Sequence, residues 1–443
     1  MALSGLDIYK LLPKTNCKEC GFATCLAFAM QLAKKAVSIE KCPFLSEDAK
    51  KMLEASSLPP IKLVTIGQPD RKLEVGNETV LFRHEEKFHH PAGIGFILQD
   101  SLSDEQLAKK AQAIDRLQFE RVGQKISVDL VALAQTGSAE RFLKAVQLVS
   151  RTTTLSMALV SNDPAALQPA LEFLKGKKPL IYPDAAGENI SRIGGLAASF
   201  KVPMVAVAPD LDKLSQLTRE LNSLGVQELL LDTGKKPLAE KIWDLTQLRR
   251  QALKKSNRSL GYPALAVVDC ADPYEEVMEA ATYISKYAGI VLLKGDAPWQ
   301  ALALLTLRQN IYTDPQKPLQ IEPKLYPIGN AGAASPVLVT TNFSLSYYTV
   351  LGEVEASRVP SYIMSVDTEG MSVLTAWAAE KFTPEKITAS LKKFNVADTV
   401  SHRNLVIPGY VAVMSGQLEE DSGWKVVVGP KEAAGIPSFL KNL

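Results

Sequence analysis

The chain has 443 residues, of which 46% are hydrophobic and 22% charged, with 50 Lys plus Arg against 48 Asp plus Glu. That length exceeds one ordinary core and implies two or three domains, and the average composition excludes a disordered or collagen-like chain. A net charge of +2 without long runs of one sign argues against nucleic acid as a partner. No apolar run reaches the ~18 residues of a membrane helix and residues 1–20 lack a signal-peptide pattern, so no membrane partner and a cytoplasmic setting are expected.

In chain order, the first element is a cysteine segment over residues 1–57. Cys17, Cys20 and Cys25 stand at C-x2-C-x4-C spacing, and Cys42-Pro43 follows. Gly21 relieves the tight turn, and Cys25 opens a helix predicted over Leu26–Ala36. Four soft thiolates suit a [4Fe-4S] cube. A four-cysteine zinc knot is the competing use, normally built from two C-x2-4-C pairs, and the second pair is missing here. A helical stretch, Ser46–Ala55, and Ser57-Leu58-Pro59-Pro60 close the segment. The remaining cysteine, Cys270, ends an apolar run and reads as a buried structural thiol.

Residues 58–92 read as a linker: a short strand-like run, Ile61–Ile66, then polar sequence in which His89 and His90 decorate the surface. Over residues 93–325 eight apolar runs follow: Ile94–Leu98, Ile126–Leu133, Met157–Val160, Leu180–Tyr182, Met204–Val207, Glu228–Leu231, Ala264–Val268 and Ile290–Leu293. They alternate with amphipathic patterns such as Asp104–Val122 and Leu238–Lys254. This predicts a closed (β/α)8 TIM-type barrel, with an open doubly wound sheet as the alternative. Polar residues at the strand ends, among them Asp100, Ser161, Asp184, Asp232, Asp269 and Lys294, fall on its carboxyl rim. Helix capping accounts for them, and no acid–base pair stands out.

A proline-rich stretch, Pro315 to Pro327, leads into the last domain, residues 326–443, predicted as a small Rossmann-like open α/β sheet. Its strands are Val337–Thr341, Ile363–Val366, Asn404–Ile407 and Lys425–Val428, and its helices Ser372–Lys381 and Pro384–Phe394. Gly329–Gly332 has no strand read before it and no phosphate loop occurs. Two strand-to-helix turns, at Asn342–Ser344 and Asp367–Gly370, fall on one carboxyl edge. Free N–H groups there suit the amides or phosphate of a large ligand, although ordinary capping explains the same residues.

Thr15–Cys25 with Cys42-Pro43, the barrel, and then Thr340–Phe343 with Glu369–Thr375 together resemble one family along the whole chain. It is the large subunit of the corrinoid iron-sulfur protein, also called the gamma subunit of acetyl-CoA decarbonylase/synthase. The resemblance implies a methyl carrier of the anaerobic acetyl-CoA (Wood-Ljungdahl) pathway, counted with the corrinoid-dependent methyltransferases and without a catalytic residue of its own. Its cobalt corrinoid would take methyl from methyltetrahydrofolate through a methyltransferase and pass it to acetyl-CoA synthase. The [4Fe-4S] cluster on Cys17, Cys20, Cys25 and Cys42 would reduce Co(II) to Co(I). Implied partners are a small subunit forming a heterodimer, the methyltransferase, acetyl-CoA synthase and a reductive activator of Co(II). The corrinoid would touch Thr340, Thr341, Asn342, Ser346, Gly370, Met371, Ser372, Val373, Leu374, Thr375, Gly435 and Ile436. No histidine stands in an Asp-x-His-x-x-Gly motif, which fits base-off, histidine-off cobalt and equally fits no corrinoid. Two other readings stand beside this one: an iron-sulfur electron-transfer module without corrinoid, and a pterin-dependent methyltransferase barrel.

Overall fold

The alternation of apolar runs and amphipathic helices closes on itself in the computed structural model, which describes residues 5–33, 36–47, 49–50, 53, 59–183, 187, 189–314 and 319–443. The expected helix Ser46–Ala55 lies partly outside the described residues, as does the expected helix end beyond Ala33; Ser57, Leu58, Asp184, Pro315 and Pro318 lie wholly outside them. The chain divides into two units, residues 1–118 with 127–312, and residues 119–126 with 313–443.

The first unit begins with helices α1 (Gly5–Leu11) and α2 (Cys25–Ala33). Ile8, Leu12, Phe28, Ala29 and Leu53 bury a small core there that holds Cys25 and borders Cys20 and Cys42. Strands β1 (Val64–Ile66) and β2 (Leu73–Val75) then pair as an antiparallel hairpin. The strand β3 (Gly93–Gln99) follows, and after it a hairpin, β4 (Gln118–Arg121) with β5 (Gln124–Ser127), whose residues 119–126 belong to the second unit. The other strands of this unit are β6 (Leu130–Ala134), β7 (Ser156–Val160), β8 (Leu180–Tyr182), β9 (Met204–Val207), β10 (Leu229–Asp232), β11 (Ala264–Val267) and β12 (Ala288–Leu293).

Strands β3 and β6 to β12 form a closed, all-parallel barrel. Parallel strands buried on both faces read as continuous apolar runs, which is why each was legible. A helix follows each one: α3 (Asp104–Asp115), α4 (Ala139–Thr152), α5 (Pro164–Phe173), α6 (Ile190–Phe200), α7 (Leu211–Ser223), α8 (Leu238–Lys254), α9 (Pro273–Ser285) and α10 (Pro298–Ile311). Several starts are fixed by a side-chain cap: Ser103 with Gln106 as a reciprocal box, Ser138, Asp163, Asp210 and Asp272.

The residues read as a polar linker are part of this barrel. Val64, Ile66, Leu73 and Val75 are buried with interior residues of the strands, including Leu130, Leu230 and Ile290. The hairpin stands at the amino-terminal mouth, where Ser156 Oγ donates to the Ile66 and Arg71 carbonyls and Gly67 N–H donates to the Lys178 carbonyl. Gly93 is glycine because a Cβ there would lie 2.6 Å from Leu73. His89 is exposed as expected and His90 is half-buried, and the backbone of both is anchored. Both donate backbone N–H groups to Glu78 Oε1, and Glu78 pairs with Arg249 at 3.4 Å, both side chains less than a tenth exposed. The Arg249 guanidinium lies 5.1 Å from the ring centroids of both Phe88 and Tyr287, so the buried cation is matched by a carboxylate and two aromatic rings.

The predicted helix Asp104–Val122 stops at Asp115, and the run Ile126–Leu133 is split. Val122 and Gly123 take φ of 56° and 68°, turning the chain into the β4–β5 hairpin.

In the second unit a five-stranded sheet runs in the order β13-β15-β14-β16-β17: β13 (Leu325–Ile328), β14 (Val337–Thr341), β15 (Ser361–Val366), β16 (Asn404–Ile407) and β17 (Lys425–Val428). Four strands are parallel, and β13 is an antiparallel edge. It was missed because Pro327 disguises it; proline is tolerated on an edge. It also puts a strand directly before Gly329, where none was read. One face of the sheet packs α12 (Val373–Ala378), α13 (Pro384–Lys393) and α15 (Ser415–Ser422), and the other packs α11 (Ser344–Ser357) and α16 (Ile436–Lys441); α14 (Val396–Thr399) is a single turn after α13.

Candidate functional site

The cysteine segment wraps backward on itself because several of its residues take left-handed backbone: Asn16 at φ 50°, Lys18 at 66° and Gly21 at 84°. Asn16 Oδ1 accepts the Cys25 N–H at 2.8 Å and Thr24 Oγ1 accepts the Ala27 N–H, so the start of α2 is pinned to the loop. Burial pushes the Cys42 thiol above the ordinary range; the Phe44 N–H counteracts it, and the charges of Cys20, Cys17 and Cys25 raise it further. The four cysteines stand as free thiols, with Cys25 buried and Cys17 exposed. Among the described residues no three His, Cys, Asp or Glu side chains are drawn tightly enough to hold a metal ion as they stand. The donor number and softness of the four thiols fit an iron-sulfur cluster.

Cys270 is half-buried, not fully buried as expected. Its Sγ donates to Glu279 Oε2 at 3.1 Å, and desolvation together with that carboxylate pushes the thiol up to about 11.

The polar groups at the barrel's carboxyl rim are consumed by one another. Asp232 accepts from Tyr182 Oη at 2.7 Å and from Lys241 Nζ at 2.5 Å, and Lys241 also donates to the Gly234 carbonyl. Asp269 pairs with Lys235 and Lys294. Asp100 takes the Thr136 hydroxyl and the N–H groups of Thr136 and Gly137. Ser161 donates to Gln135. Such closed networks fix loops and engage each of these four described side chains.

The second unit is different. Its parallel strands run outward from β14, to β15 on one side and to β16 and β17 on the other, so the direction of winding reverses between β14 and β16. A crevice forms outside the strand ends at such a point. Here it is a cleft of about 330 Å³, floored by Leu338, Thr340 and Val406 and walled by Phe343, Ser346, Tyr410 and Ile436. Thr340 is 1% exposed and its hydroxyl has no partner; the same is true of the buried hydroxyls of Thr341 and of Ser365, the register neighbour of Thr340 on β15.

Of the ligand contacts inferred from sequence, Thr340, Ser346, Ser372, Val373 and Ile436 line the cleft. Asn342 has a different task. It is buried, its Oδ1 accepts from the N–H and hydroxyl of Thr368 and the N–H of Gly370, and its Nδ2 donates to Gln320 and Asp367. It therefore holds the β15–α12 turn, where Glu369 and Gly370 have φ of 57° and 76°. Met371 packs on the core under α12, Leu374 is exposed, and Thr375 Oγ1 is 2.9 Å from Ser372 Oγ. Gly435 has an ordinary helical φ of −79° and is glycine because a Cβ would stand 2.8 Å from Pro430. Phe343, Tyr410, Pro430 and Lys431 were not foreseen. The signal for the last three was Pro408-Gly409 and Gly429-Pro430, turn pairs directly after two predicted strands.

Fold and site define a class: a four-thiol segment ahead of a (β/α)8 barrel, followed by a mixed sheet with a cleft at its switch point. The family model for the CO dehydrogenase/acetyl-CoA synthase delta subunit matches residues 63–440, and an Fe-S cluster family model matches residues 12–44. The corrinoid/iron-sulfur protein large subunit of Moorella thermoacetica is 45% identical, covering 100% of this chain and 99% of its own. The acetyl-CoA decarbonylase/synthase complex subunit gamma of Methanothermobacter thermautotrophicus is 37% identical over 100% and 99%. That of Methanopyrus kandleri is 35% identical over 99% and 98%. The chain belongs to the CO dehydrogenase/acetyl-CoA synthase subunit family, and its full-length match, cysteine segment included, puts it among the corrinoid/iron-sulfur large or gamma subunits.

Proposed function

We propose that the chain is the methyl carrier of the anaerobic acetyl-CoA pathway, with a [4Fe-4S] cluster on Cys17, Cys20, Cys25 and Cys42 and a cobalt corrinoid in the C-terminal cleft. When bound, the corrinoid supplies the metal that accepts and gives up methyl, and the cluster supplies the electron that returns inactive cobalt to its nucleophilic state. The residues of the chain bind, orient and shield. Leu338, Val350 and Val406 offer apolar contact, and the hydroxyls of Thr340, Ser346, Thr349 and Ser372 are suited to the amide side chains of a corrin.

The observation that carries this reading is a switch-point cleft whose floor holds a buried hydroxyl without a partner. No histidine is among its described lining residues, and His402 is engaged with the Ser335 carbonyl and the Asn404 N–H. An axial nitrogen stabilises Co(II) over Co(I), so base-off, histidine-off binding eases the reduction the carrier needs. A corrin ring exceeds a cleft of about 330 Å³, so one face stays open for a partner. A small subunit covering that face fits this, with the methyltransferase, acetyl-CoA synthase and a reductive activator as successive visitors.

Anaerobically purified protein tests both cofactors. Cys42→Ala is expected to lose its iron and sulfide while Cys270→Ala keeps about four of each. Zinc in place of iron would overturn the cluster assignment. The electron paramagnetic resonance spectrum of the Co(II) form is expected to lack nitrogen superhyperfine splitting, whose presence would contradict histidine-off binding.

A further inference from the structure

One charged side chain lines the cleft among its described residues: Lys431. It sits on the arm Gly429-Pro430-Lys431 that leaves β17, and the backbone of that arm is held from two sides. Gly429 N–H donates to the Ile407 carbonyl and Gly409 N–H to the Pro430 carbonyl. A Cβ on Gly409 would stand 2.6 Å from the Gly429 carbonyl and 2.8 Å from the Lys431 nitrogen, and one on Gly435 would stand 2.8 Å from Pro430. Two glycines thus let two backbones press against the arm and fix where the lysine leaves it. The adjacent Glu432 carboxylate accepts the hydroxyl of Tyr410, another lining residue, and forms no ion pair with Lys431. Lys431 makes no ion pair with any described residue.

We propose that Lys431 is the anion-recognition residue of this cleft and takes the phosphate of the corrinoid's nucleotide loop. This rests on the corrinoid reading given above. A cleft of apolar and hydroxyl groups recognises the corrin ring and its uncharged amide side chains, and a single cation at its mouth matches the single phosphodiester in the tail. The consequence is selectivity: the protein prefers a complete corrinoid over cobinamide, the same ring without phosphate or base. Lys431 is exposed, so the preference is modest and salt-sensitive.

The test is equilibrium titration of the full chain, freed of corrinoid, with cobinamide, cobinamide phosphate and cobalamin, followed by the corrinoid absorption bands. The wild type is expected to bind the two phosphate-bearing ligands roughly three- to tenfold more tightly than cobinamide, with the gap narrowing between about 0.05 and 0.5 M salt. Lys431→Gln should bring all three to the cobinamide affinity, and Lys431→Arg should keep the gap. A gap that survives Lys431→Gln, or a wild type with no gap, overturns the proposal. A wild type that takes up none of the three overturns the corrinoid reading itself, and the proposal with it.

Discussion

Two sheets in this chain end their strands in loops of the same kind, and they treat polar groups in opposite ways. At the barrel's carboxyl rim, Asp232, Asp269, Asp100 and Ser161 each have partners within the unit. At the same edge of the second sheet, Thr340, Thr341 and Ser365 carry buried hydroxyls with none. An unmet buried polar group costs about 1–3 kcal/mol, and of these three hydroxyls Thr340 is the one that lines the cleft, where a ligand is placed to complete it. The rim of a barrel is the usual place to seek chemistry. In this chain the edge that is short of partners points elsewhere, and the barrel reads as architecture.

The largest effect follows from opening the closed rim. Lys241→Met leaves Asp232 buried with only Tyr182 donating to its side chain from another element, and removing one member of a buried pair costs about 3–5 kcal/mol. Urea unfolding is expected to show that loss in the barrel transition, while corrinoid content per chain stays at the wild-type level. A variant as stable as the wild type would mean that the rim is not held as described. Equal loss of corrinoid would give the rim a ligand role.

Asn342→Leu comes next. It strands two buried N–H groups, of Thr368 and Gly370, a cost of about 2–4 kcal/mol confined to the second unit, while the Thr368 hydroxyl keeps the Met371 carbonyl as acceptor. It also frees the β15–α12 turn, so corrinoid uptake should fall while iron content is unchanged. Intact uptake would show that the turn needs no such anchor.

How much of this was legible depends on the range of the interaction involved. The barrel strands could be read because a parallel strand advertises itself locally, as an apolar run such as Leu180–Tyr182. The β1–β2 plug could not: Leu73–Val75 is three residues inside polar sequence, and only burial against the barrel interior makes it a strand. Val122 with a left-handed backbone is likewise invisible in sequence, and it turns the chain between β4 and β5, where the pattern had looked helical. In the cleft, residues on β14 and at the start of α12 were foreseen from two turns. Tyr410 and Lys431 come from the ends of β16 and β17, which only strand order brings alongside β14. Asn342 was placed in the right turn with the wrong task, since no sequence pattern distinguishes a side chain that meets a ligand from one that ties the loop beneath it.

The smallest change in stability gives the sharpest comparison. Thr340→Val keeps the shape of the side chain and the β-branched preference of a strand while removing a hydroxyl that has no partner in the protein. In corrinoid-free protein the substitution should be neutral or stabilising by up to about 1 kcal/mol, because the cost of an unmet group is relieved. In loaded protein the sign reverses. The hydroxyl that a ligand amide had completed is gone, and affinity should fall by roughly five- to tenfold, the worth of one hydrogen bond. Thr341→Val is the control, since Thr341 is equally buried and unpartnered but is not among the cleft-lining residues, and alternation along β14 turns it to the other face. It should share the stability effect and leave affinity within about twofold, well under one hydrogen bond. Thermal unfolding with and without corrinoid measures both quantities on the same samples. If Thr340→Val raises stability and leaves affinity untouched, the unpaired hydroxyl is a packing accident and ceases to mark the site.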